Sequence, residues 1–215
     1  MRKKFVSMVL SGIMVVSCAL PVFASATIKR DNYTRQFESN WCWAATGKNF
    51  AVAINRNQSR PSLTKQKYEL YSLIARNEGD TPKSESQVTQ GDYNDYNFGG
   101  GLRNSCEIAS LYDDSYDYDY KFGTMSYRLL METLQNGYPY GLYLEDTSRT
   151  SKSSYVRDHI VLACGADDQF SDRVTIYDPA GNGTYVTLNY NDLKNGSSAF
   201  DYRAYSNTMY CDDQI

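Results

Sequence analysis

The chain changes its repeat at Pro139, and that change decides most of what it can fold into. Upstream, apolar residues return at helical spacing. Residues 43–54 are alanine-rich and interrupted only by Gly47, which predicts a helix. Ser62 can cap a second helix to about Arg76, with Leu63, Leu70, Tyr71 and Ile74 on one stripe. A short helix from Leu102 to about Tyr112 follows Gly99-Gly100-Gly101. Thr124 can cap another that carries Tyr127, Leu130, Met131 and Leu134 and stops at Gly137. Between these, 78–97 is polar and rich in turn residues and reads as a loop, while 113–122 alternates Tyr and Asp and reads as an exposed strand or loop. Downstream of Pro139 the segments 140–144, 159–164, 174–177, 185–188 and 200–205 are short, β-branched or aromatic, and separated by turn residues. Asn182-Gly183 between two of them is a hairpin signal. A helical half packed on a C-terminal antiparallel sheet is an α+β fold, and no internal repeat or long linker divides it.

The first residues predict export. Arg2, Lys3 and Lys4 precede an apolar run from Phe5 to Val16, and Ala24-Ser25-Ala26 supplies the small residues of a cleavage site. This pattern reads as a secretory signal peptide over 1–26, with one domain over 27–215. A lipid anchor at Cys18 is the weaker alternative, because the residues before it match a lipobox only loosely. No second apolar run approaches membrane-spanning length. The whole chain carries a formal charge of −3, and loss of three basic residues makes the domain more acidic still. Such a surface argues against nucleic acid as a partner. Cys42, Cys106, Cys164 and Cys211 follow the leader, with no C-x-x-C pair to suggest zinc. A calcium loop in the Tyr/Asp stretch lacks the required glycine and terminal glutamate. No metal or other cofactor is therefore expected.

One histidine, His159, is present in all 215 residues, so any imidazole chemistry must use it. Asp158-His159-Ile160-Val161-Leu162 puts it at the mouth of an apolar strand, and residues 174–178 form another strand ending at Asp178-Pro179. If 165–172 is a turn, the two strands are antiparallel neighbours, and His159 and Asp178 lie side by side. The carboxylate would then fix the imidazole tautomer and stabilise its cation. Cys42 stands at the start of the first predicted helix, where unpaired N–H groups and the helix dipole favour a thiolate. Cys106 and Cys164, by contrast, sit among apolar neighbours inside elements, the ordinary setting of a buried thiol. Gln36, six residues before Cys42, can donate its amide to an oxyanion formed at the thiol, with the Cys42 N–H as second donor.

Gln36-x5-Cys42-Trp43-Ala44, then His159 opening a strand, then Asp178-Pro179 closing one, resembles the papain-like cysteine peptidases, and in particular their compact bacterial branch of bacteriocin-processing and secreted effector proteases. The resemblance spans the predicted mature chain in order. It implies a papain-like fold with the cleft between the two halves, Cys42 as nucleophile, His159 as general acid/base, Asp178 as orienting residue and Gln36 as oxyanion donor, acting on a protein or peptide substrate. The chain departs from papain proper in having Asn40-Trp41 before the cysteine, no Asn-Ser-Trp motif, and too few residues over 27–35 for an inhibitory prodomain. Two other readings use the same residues differently. One is another Cys-His enzyme, such as a cell-wall endopeptidase or a transglutaminase-like enzyme. The other is an inactive binding module working through its tyrosine-rich surface.

Overall fold

The computed structural model describes residues 25–28, 30–55, 61–146, 158–169, 171–200 and 203–212. The architecture is α+β: among the described residues there are six helices and one antiparallel sheet of seven strands. The helices are α1 Cys42–Ile54, α2 Leu63–Asn77, α3 Gln90–Asp95, α4 Leu102–Tyr112, α5 Tyr127–Gln135 and α6 Tyr190–Asn195. The strands are β1 Ser25–Thr27, β2 Tyr118–Phe122, β3 Tyr140–Asp146, β4 His159–Asp167, β5 Arg173–Asp178, β6 Thr184–Asn189 and β7 Arg203–Cys211. The sheet runs β2-β7-β3-β4-β5-β6, and β1 pairs with the far end of β4. No described helix is long and apolar enough to cross a membrane. The expected leader lies outside the described residues except for Ser25 and Ala26, which belong to β1.

Strand β4 and helix α1 form the centre. Residues 160–166 of β4 are all buried, so both faces of the strand are covered; α1 and α5 are the helices packed on it. Helix α1 is buried all round from Trp43 to Ile54, and only Cys42 is partly open. A helix enclosed in this way must find a partner for each polar side chain. Thr46 donates to the Ile160 carbonyl at 2.9 Å. Asn49 makes a two-way bond with Thr34, accepting from its N–H at 2.6 Å and donating to its carbonyl at 2.8 Å. Lys48, 2% exposed, donates to Glu69 of α2 at 2.7 Å. Burial disfavours this ammonium and outweighs Glu69, so its pKa lies below the usual lysine value. Glu69→Ala should therefore cost about 1–2 kcal/mol in a urea titration, less than breaking a wholly buried pair because Glu69 is 27% exposed.

Several boundaries differ from the sequence expectation. Residues 78–97 are not all loop: Thr89 and Asp92 form a capping box that starts α3. Helix α5 is capped by Ser126, whose hydroxyl accepts from the Leu129 N–H at 3.2 Å, and not by Thr124. Its end is as expected, with Gly137 at φ 91 and the Tyr138 N–H closing back onto Thr133. Leu63 is 52% exposed and leaves the α2 stripe to Leu70, Tyr71 and Ile74. The last strand is Arg203–Cys211; Phe200 sits in a short 3-10 turn before it. Nor is the sheet confined to the C-terminal half, since β1 and β2 come from upstream and β2 forms one edge beside β7. In the turn between β5 and β6, positive φ falls at Gly181 and Gly183.

Candidate active site

Strands β4 and β5 are antiparallel neighbours with Leu162 opposite Tyr177. This register brings the first residue of one, His159, to the last residue of the other, Asp178. His159 Nε2 lies 2.7 Å from Asp178 Oδ1. Pro179 follows, and the Ala180 N–H turns back to donate to the same carboxylate oxygen at 2.8 Å. Helix α1 approaches this end of the sheet with its N-terminus, which places the Cys42 side chain in the same cleft as the imidazole. With Nε2 engaged by Asp178, Nδ1 is the nitrogen left for the thiol. Cys42, His159, Asp178 and Gln36 thus line one cleft of about 470 Å3, together with Asn40, Gly100, Asp158 and Arg203.

Gln36 is positioned through its backbone. Asn49 fixes Thr34, and the Gln36 N–H donates to the Pro179 carbonyl at 2.8 Å, tying this segment to the residue after Asp178. The side-chain amide donates one hydrogen to Ser39 O at 3.3 Å, which leaves its second hydrogen for a ligand. The opposite wall is built on the two tryptophans. Trp41 and Trp43, both fully buried, donate their indole N–H groups to the carbonyls of Tyr96 and Phe98, and Asn40 is held twice by Asn97. Residues 96–100 are thereby stitched beside the nucleophile helix. Gly100 packs against the indole of Trp43, where a Cβ would stand 2.5 Å from Cδ2, so this wall admits no side chain.

Charge in the cleft is arranged around the imidazole. Burial opposes the imidazolium, but the Asp178 carboxylate and the Cys42 sulfur outweigh it and raise His159 from 6.5 to about 9. Asp178 moves the other way: burial works against its charge, yet His159, the Ala180 N–H and Arg203 hold it below the usual carboxylate value. The α1 terminus adds to this. Trp41 offers no side-chain cap and the first turn has no acidic residue, so no side chain there offsets the positive end of the helix dipole beside Cys42. Asp158, beside His159, accepts a short hydrogen bond from Tyr143 and is also approached by the Asp146 N–H.

None of the four cysteines among the described residues is in a disulfide. Cys106 and Cys164 are buried, and burial pushes the Cys106 thiol up to about 12. Among the described residues no cluster of three or more His, Cys, Asp or Glu side chains could hold a metal ion. Sequence reasoning missed Phe200 and Arg203 as parts of the cleft wall. For Gly99 and Gly100, which also line it, the run Gly99-Gly100-Gly101 was an available signal, because repeated glycine marks close backbone approach. Compared with protein-family models the chain matches none, and no curated protein matches it significantly.

Proposed function

We propose that this chain is an exported cysteine peptidase of papain-like architecture, working through Cys42, His159 and Asp178. The observation that carries the reading is the meeting of a free cysteine at an uncapped helix N-terminus with the only histidine, itself held by a carboxylate, in one cleft. The Cys42 sulfur attacks a peptide carbonyl carbon, forming a C–S bond as the carbonyl π pair moves to oxygen. The Cys42 N–H and the Gln36 amide stabilise that oxyanion. Collapse breaks the C–N bond, and the His159 imidazolium gives its proton to the departing amine. Water then attacks the thioester as His159 takes its proton, and collapse of that intermediate breaks the C–S bond, releasing the acid and restoring the Cys42 thiolate beside the His159 imidazolium. Asp178 keeps Nε2–H engaged so that Nδ1 faces the sulfur throughout.

Labelling by an epoxide that alkylates papain-type thiols, with mass mapping of the modified peptide, is the direct test. The expected result is modification at Cys42 alone, together with hydrolysis of casein. Labelling with no cleavage of protein, but with cleavage of peptidoglycan or incorporation of an amine, would assign the same triad to another Cys-His reaction. An unlabelled Cys42 would refute the catalytic reading.

The pH dependence follows from the histidine. With its folded pKa raised to about 9, the imidazolium needed as proton donor is present through neutral pH and is lost as pH rises through 9. The basic limb of kcat/KM should therefore fall near pH 9, and Asp178→Ala should move it to lower pH, since it removes a partner that raises His159. By linkage, the raised His159 stabilises the fold fully below about 6.5 and loses that contribution as pH rises through about 9. The lowered Asp178 contributes above about 3.8 and loses it as pH falls. A basic limb unchanged in Asp178→Ala would show that the carboxylate does not govern the imidazole.

A further inference from the structure

We propose that a second pocket, on the far side of the turn after Asp178, binds a tetrahedral oxyanion, phosphate or sulfate, through Arg30 and Arg35. This site is independent of the triad. The turn is the shared wall: Ala180 faces the cleft, while Asn182 and Gly183 face a separate cavity of about 240 Å3 that none of the catalytic residues lines. Both arginines come from the segment leading to Gln36, and both are held in place. Arg35 donates from Nη1 to Asn182 Oδ1 at 2.8 Å and lies over the ring of Phe37 at 5.0 Å. The backbone of Arg30 is pinned by Tyr185, whose hydroxyl accepts from its N–H at 3.1 Å and donates to its carbonyl at 2.8 Å. Its side chain has one long bond, from Nη2 to Ala53 O at 3.4 Å.

What these arginines lack points to the ligand. The Nε atom of each is buried without a hydrogen-bond partner, and among the described residues neither guanidinium is in an ion pair. A buried guanidinium N–H left unpaired is costly, and an oxyanion with lone pairs in several directions is the group that fits two guanidinium forks arriving from different residues. The tyrosines at the site act as walls. Tyr33, Tyr177 and Tyr185 pack ring against ring at 5.1 and 5.3 Å, and the Tyr33 hydroxyl is spent on the Ile28 carbonyl. Gly183 keeps the space open: its φ is +72, and a Cβ there would stand 2.2 Å from the Tyr177 hydroxyl and 3.3 Å from Arg35 Cβ. Asp31 is the one carboxylate on the pocket and opposes an anion.

Calorimetric titration of the purified protein with inorganic phosphate, against chloride at matched ionic strength, tests the site. Saturable binding is expected, competed by sulfate and weakened about tenfold or more in Arg30→Gln and in Arg35→Gln. Asp31→Asn should tighten it about two- to fivefold by removing a like charge. Arg35→Lys keeps the charge and loses the fork, and should also bind more weakly; it serves if Arg35→Gln does not fold. A phosphoserine peptide that binds tighter than inorganic phosphate would assign the pocket to an esterified group, and equal binding would assign it to the free ion. No binding of either, or affinity unchanged in the arginine variants, overturns the proposal.

Discussion

Cys42→Ala should lose peptide hydrolysis by about ten-thousand-fold or more while remaining folded. The side chain is only partly buried at a helix end, so its removal opens no core cavity. His159→Ala should lose a similar amount, and the double variant little more, because attack and protonation are steps of one unit. Initial rates on a fluorogenic peptide, with circular dichroism on the same samples, measure both halves of the expectation. Activity surviving in Cys42→Ala would place the chemistry elsewhere, and loss of the folded state in both variants would make these residues structural.

The second large effect concerns the scaffold under the site. Helices α1 and α4 cross at Gly47, where a Cβ would stand 2.3 Å from the backbone oxygen of Ser105 and 3.1 Å from Ile108 Cβ. The near atom is backbone, so the crossing can yield only if one helix moves. Gly47→Val should destabilise by about 3 kcal/mol, the upper range for overpacking a filled core. Helix propensity pulls the other way by less than about 1 kcal/mol and does not decide the sign. Urea denaturation gives the difference directly, and a variant as stable as the parent would mean that the helices do not meet at this residue. Because α1 carries Cys42, a tolerated but shifted crossing should also slow alkylation of the thiol.

What could be read in the sequence is what local chemistry dictates. The apolar strand beginning at His159, the second strand stopped by Pro179 and the alanine-rich helix after Cys42 each carry their own signal, and together they foretold which residues would share one cleft. Gln36 was legible only by its spacing to Cys42; the bonds that hold it come from Asn49 and Pro179, far apart in the chain. Misread elements share a different cause. The polar run Ser206-Asn207-Thr208 does not look like a strand, yet it continues β7. There the Asn207 side chain accepts from the Gly123 N–H and Thr208 donates to the Gly123 carbonyl, so the polar groups close the β2 edge. Short α3 is set by a capping box in a stretch whose composition says loop. Leu63 is apolar at the right spacing but lies in the first turn of α2, beyond the reach of the core.

The arrangement of β4 in the sheet has a consequence for biosynthesis. The strand that begins at His159 lies between β3 and β5, and β5, its partner in the sheet, carries Asp178 at its last residue. During synthesis the helix bearing the thiol is complete well before the strand bearing the base, and the carboxylate arrives last of the three. A nascent or truncated chain ending before residue 178 therefore carries the Cys42 thiol without the carboxylate that holds His159. Under the proposed peptidase function, hydrolytic competence would be withheld until β5 has paired with β4, which would defer self-digestion past the stage at which the unfolded polypeptide is most exposed to it.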